Sequence, residues 1–167
     1  AIGGTAQPMF TGFIRDITAR KQADGRIKRL NRVYAVLSGI NSLIVRVRDR
    51  EELFREACRI AVEDGKFRLA WIGLVDRQAM RVKPAAWHGA GEDYIRMMPL
   101  DLADTAAAGR GLSADAIRER KAMVSDDMTL DPRVLLKKEA HERGFRSLAV
   151  IPLLVADEAV GVLGLYA

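Results

Sequence analysis

Residues 67–75, FRLAWIGLV, form a near-continuous apolar run rich in aromatic and branched side chains. Such a run is a strand covered on both faces, since a half-exposed strand would alternate polar with apolar residues. The chain must therefore build a sheet with a layer on each side. The means are present: 167 residues, 49% of them apolar, suffice for one domain of ordinary size with a real core and a short extra segment.

The remaining elements follow from periodicity and turn chemistry. Asp49 followed by Glu52 has capping-box spacing and predicts a helix over 50–64 with an apolar face of Leu53, Phe54, Ala57, Cys58, Ile60 and Ala61, ended by Gly65 in a left-handed cap. A second strand is expected over 81–88, where Pro84 argues for a sheet edge or a bulge. Residues 89–121 read as irregular, with short helices near 92–98 and 113–120, the second capped by Ser113. A short strand over 122–125, a loop over 126–132 and a helix over 134–143 follow. Strands over 146–155 and 158–166 are joined by a tight turn at Ala156 and Asp157. This order predicts an α+β fold, an antiparallel sheet with long helices on one face and loops and short helices on the other.

Charge is uneven along the chain. Residues 1–50 carry ten Lys/Arg and three Asp/Glu, whereas residues 51–167 carry 17 and 19. The basic residues of the first part are interleaved with a single aromatic, Tyr34, which reads as a solvated helix surface rather than a phosphate-tracking stripe, so no nucleic-acid partner is expected. No apolar run approaches the roughly 18 residues of a membrane span, and one Cys excludes an internal disulfide. A cytoplasmic setting without direct membrane contact is the expectation.

A long helix is expected from about residue 25 to 47, and its apolar residues form two stripes. Val33, Val36, Ile40, Leu43 and Val47 suit its own domain. Ile27, Leu30, Tyr34, Leu37, Asn41 and Ile44 alternate steps of three and four, as the seam of a coiled coil does, and predict a parallel homodimer contact in which Asn41 fixes register.

From about residue 30 onward the chain resembles a GAF domain of bacterial multidomain sensor proteins, the sensor kinases and cyclic-di-nucleotide signalling enzymes. The residues that carry the resemblance are FRLAWIGLVD at 67–76, GLSADAIRERKAMVSDD at 111–127, DPR at 131–133 and GFRSLAVIPLLVADEAVGVLGLYA at 144–167. FTGFIRDITARKQAD, residues 10–24, resembles the closing strand and linker of a PAS domain. The organisation implied is the end of a PAS domain over 1–24 and a GAF domain over 25–167 without its C-terminal output helix. The resemblance further implies a six-stranded antiparallel sheet, a small-molecule pocket on one face, dimerisation through terminal helices and an output domain of the same polypeptide. The cyclic-nucleotide signature Asn-Lys-x-x-Asp-Glu is absent, and neither His88 nor His141 has the adjacent Cys of bilin-binding members. No cofactor is therefore named.

Candidate chemistry is sparse. Cys58 lies on or beside an apolar helix face, poor surroundings for a nucleophile, and the free methionine sulfoxide reductases of this fold depend on several cysteines. His88 at a strand end and the aspartates 126, 127 and 131 are single polar or turn features rather than a metal set, so no catalytic and no metal site is expected. Trp87, Tyr94, Asp126, Asp127 and Arg133 instead form a candidate ligand site on the loop face, a few polar groups beside apolar ones. Two functions remain: a sensory domain that binds a small molecule and relays the signal through a dimeric helix, or a ligand-free dimerisation and relay module. An enzyme is not expected.

Overall fold

The computed structural model describes residues 27, 31–32, 34–43, 46–103 and 111–167. The expected PAS-like segment, and Leu30 and Ile44 of the expected seam, lie outside them. Helix α1, described over 34–43, precedes α2 (Arg50–Glu63), β1 (Leu69–Asp76), β2 (Arg81–Gly89), α3 (Glu92–Met97), α4 (Leu112–Glu119), β3 (Met123–Ser125), α5 (Lys137–Glu142), β4 (Leu148–Val155) and β5 (Glu158–Tyr166). The sheet is antiparallel in the order β2-β1-β5-β4-β3. It has five strands among the described residues, one fewer than the family resemblance implied.

The apolar run of β1 is covered on both sides, as its sequence requires. Leu69 and Trp71 face a core formed with α3, α4 and α5, whereas Ala70 and Ile72 face one formed with α1 and α2. The helix-side core gathers Val36, Ala57, Cys58, Ala61, Ala86, Leu163 and Leu165. At about 1.5–3 kcal/mol for each large aliphatic side chain removed from water, such residues outweigh any local propensity. Strand β2 is a sheet edge, and its register to β1 shifts beside Pro84, where the missing N–H removes a ladder bond.

Helix α2 starts where the sequence places it, with Asp49 accepting from the Glu52 amide at 2.7 Å. Its end differs from expectation. Gly65 is not the left-handed residue; Lys66 is, at φ 55°. Gly65 is needed for close approach instead, because a Cβ there would meet the Ala61 carbonyl and a Val36 methyl, each at 2.5 Å. Arg32 of the preceding helix closes this end, donating to the Gly65 carbonyl at 2.6 Å and the Lys66 carbonyl at 3.0 Å while stacking over Phe67. That charge serves as a clamp between helices, and the carbonyls left over at a helix end explain why a guanidinium settles there.

Two further boundaries are corrected. Helix α4 begins at Leu112 with Gly111 in the cap position, so Ser113 lies inside the first turn and caps nothing. Helix α5 is confined to Lys137–Glu142 because Asp131 holds residues 131–134 as a turn, accepting from the Arg133 amide at 2.9 Å while its backbone carbonyl accepts from the Val134 amide. The β4–β5 turn is tight as expected, with Ala156 and Asp157 both left-handed, as a two-residue hairpin of right-twisted strands requires.

Candidate functional site

The loop face of the sheet carries an aromatic cluster and a cavity. Tyr94 of α3, Tyr166 at the end of β5 and Phe145 after α5 pack with ring centroids 5.0–5.6 Å apart, two of the pairs edge-to-face. Burial pushes the Tyr94 hydroxyl up to about 12 and that of Tyr166 well above its ordinary range, so both phenols are neutral donors. The Tyr166 hydroxyl lies 3.4 Å from the Met98 sulfur. Trp71, fully buried on this face, has an indole Nε1 without a hydrogen-bond partner among the described residues.

The cavity, partly open to solvent, has a volume of about 60 Å3. Its walls are mainly apolar, supplied by the sheet through Val82 and Leu148, by the start of α4 through Leu112, and by the 126–136 loop through Met128 and Val134. Tyr94, Tyr166, Ser113, Arg133 and Asp101 add polar groups. Arg133 is held in place: Nε and Nη2 donate to the two Asp131 oxygens at 3.0 and 2.7 Å, and Nη2 also reaches the Val124 carbonyl at 3.0 Å. The guanidinium holds the Asp131 carboxyl down at about 2.

Of the five residues the sequence singled out for a ligand site, Tyr94 and Arg133 line this cavity and the other three do not. Trp87 is directly opposite Trp71 and so shares the loop face, but it stands on the edge strand beyond the cavity and is partly exposed. Asp126 is exposed, and Asp127 is engaged in its own turn, accepting from the Thr129 amide at 2.8 Å and hydroxyl at 2.6 Å. Met98 lines the cavity while its neighbour Met97 is exposed. Tyr166, Met128 and the start of α4 escaped the sequence reading, because their convergence depends on strand and loop placement over more than 50 residues.

Elsewhere the groups weighed for chemistry are dispersed. Cys58 is fully buried on the helix side, and desolvation pushes its thiol up to about 12, which leaves no thiolate at neutral pH. His88 sits on that same side with Nε2 3.5 Å from Glu63. No group of three His, Cys, Asp or Glu side chains that could hold a metal occurs among the described residues. No helix among them is long and apolar enough to cross a membrane.

A family model described as "GAF domain" matches residues 47–167, which include every strand of the sheet. The chain belongs to the GAF domain family. Its fold is similar to that of the GAF domain of a phosphoenolpyruvate-protein phosphotransferase from Coxiella burnetii, at 15% identity and a TM-score of 0.66 over 83% of this chain and 78% of that one. It is also similar to free methionine-R-sulfoxide reductase from Neisseria meningitidis, solved in complex with its substrate, at 20% identity and a TM-score of 0.63 over 79% and 71%. GAF domains are mostly regulatory, and these neighbours show that the same fold also carries enzymes. A bacterioopsin transcriptional activator from Halobacterium salinarum is 28% identical over 130 residues, 71% of this chain; the chain spans 18% of that relative's length.

Proposed function

We propose that this GAF domain is a sensory module which binds a small molecule in the loop-face cavity and relays occupancy through α1 to an output domain of the same polypeptide. The observation that carries the reading is the cavity itself, apolar-walled, with two neutral phenols and a fixed guanidinium converging on it. The relatives add support: the Neisseria reductase was solved with its substrate, and the Halobacterium relative is a transcriptional activator much longer than this chain. The reading includes no turnover: the buried Cys58 is the sole thiol of the sequence, and no base adjoins it among the described residues. Residues 25–167 form the GAF unit and residues 1–24 the end of a PAS domain.

The second part of the reading is dimerisation. Ile27, Tyr34, Leu37 and Asn41 are exposed, whereas Val36 on the neighbouring face of α1 is buried and Ile40 packs against the helix-side core. An apolar stripe left in water at steps of seven, three and four suits a partner helix, which Leu30 and Ile44 would extend. A seam of two to three heptads is marginal alone and relies on the adjoining domain. A ligand-free relay would use the same seam and leave the cavity idle.

Native mass spectrometry of freshly purified protein, followed by a thermal-shift screen of metabolites, separates these functions. Binding predicts a co-purified mass or a melting temperature that rises with ligand concentration; neither appears for a pure relay. Sedimentation of wild type against Leu37→Asp tests the seam. The wild type runs as a dimer and the variant as a monomer; two monomers at high concentration would refute it.

A further inference from the structure

We propose that the cavity selects small uncharged molecules, apolar over most of their surface and carrying one hydrogen-bond acceptor, and rejects anions of the same shape. The proposal rests on the reading that the cavity binds a ligand at all, and adds the class of ligand.

Size comes first. One water needs roughly 10–15 Å3 of such space, so about 60 Å3 holds on the order of four to six non-hydrogen atoms. A nucleotide is several times larger. The donors come next. Residues 111–114 line the cavity at the start of α4, and no side chain among the described residues caps that helix, so its first amide N–H groups can serve an oxygen acceptor. Tyr94 and Tyr166 line the same space, but the Tyr166 hydroxyl already donates to the Met98 sulfur at 3.4 Å, so the helix start is the main donor set.

Charge decides between a neutral and an anionic acceptor. The helix start alone favours an anion by about 0.3–1 kcal/mol, whereas leaving an ion in an apolar cavity without a counter-charge costs several kcal/mol. Among the described residues the cationic side chain at the wall is Arg133, and Asp131 already neutralises it through two hydrogen bonds. Asp115 and Glu119 of α4 also act on that guanidinium, and Asp115 is itself paired with Arg118. Asp101 lines the cavity and is exposed toward solvent. An entering carboxylate thus meets the Asp101 carboxylate at the wall and, in Arg133, a guanidinium whose charge Asp131 already offsets. A neutral amide or alcohol oxygen can take the same N–H donors without that repulsion.

The test uses butyramide and butyrate, which have the same number of non-hydrogen atoms and nearly the same shape. Titration of the whole chain, followed by calorimetry and by the methionine methyl resonances, should show butyramide binding at least tenfold more tightly than butyrate. In Asp131→Asn, which removes the carboxylate paired with Arg133, the ratio of butyrate to butyramide affinity should rise about tenfold, and retained butyramide binding reports that the cavity is still formed. Should that variant not fold, Asp101→Asn should narrow the gap in the same direction. Butyrate binding as tightly as butyramide to the wild type would overturn the proposed class while leaving the cavity a ligand site. A gap that fails to narrow in a folded variant would also overturn it. If neither compound binds and the Met98 and Met128 methyls stay still at tens of millimolar, ligand binding by the cavity is itself refuted.

Discussion

Gly164→Ala tests the packing that supports the cavity from below. Gly164 lies on the central strand β5, between Trp71 of β1 and Val150 of β4. A Cβ there would sit 2.1 Å from Trp71 Nε1 and 2.7 Å from its Cδ1, so the indole must shift. It has little room to do so, being fully buried in a core shared with Tyr94 and Tyr166. Overpacking of this kind costs about 1–3 kcal/mol. Replacing Gly by Ala returns about 0.4–1 kcal/mol through the unfolded chain. The net loss should be about 1–2 kcal/mol, which for a domain of this size lowers Tm by about 2–8 °C. Thermal unfolding by circular dichroism measures it, and in a Trp87→Phe background the emission of Trp71 alone should report the displaced ring. A variant as stable as wild type, with unchanged Trp71 emission, would show that the indole does not pack over Gly164.

Two smaller predictions concern ionisable groups. Cys58 should resist a soluble thiol reagent at pH 8 in the folded protein and react on unfolding, since burial holds its thiol near 12; rapid stoichiometric labelling of the native state would refute this. The Asp131 carboxyl is held at about 2, below its ordinary 3.8, chiefly by its hydrogen bonds to Arg133. Its contribution is therefore complete above about pH 4 and lost as pH falls toward 2. Over that interval wild type should lose on the order of 1 kcal/mol more stability than Asp131→Asn, and denaturant titrations with equal pH dependence would contradict the assignment.

What could be read from the sequence was local. The β1 run, the hairpin at Ala156 and Asp157, the Asp49 cap and the buried and exposed faces of α1 over 34–43 are each set by neighbours within a few residues, and periodicity or turn chemistry reveals them. Boundaries shifted where a distant group intervened. Arg32 reaches across 33 residues to the end of α2, and Gly65 there serves a close approach rather than a left-handed turn. The cavity was half legible for the same reason. Tyr94 in the short helix α3 and Arg133 in a loop lie in segments whose mixed composition marks them, but Tyr166 looks like any strand-end aromatic until β5 is placed between β1 and β4. The aspartates at 126 and 127 carried the right chemistry for a polar rim, yet Asp126 stays exposed and Asp127 completes its own turn.

The central claim, a ligand site between the sheet and its loop layer, is tested most directly by methionine methyl spectra recorded during titration with butyramide and a panel of small uncharged metabolites. Met98 and Met128 line the cavity, whereas Met80 lies outside its lining and is exposed. A ligand in the cavity should move the Met98 and Met128 methyl signals together and saturably while Met80 stays in place. Saturable movement of Met80 alone, or no movement of Met98 and Met128 with any member of the panel, would contradict the account.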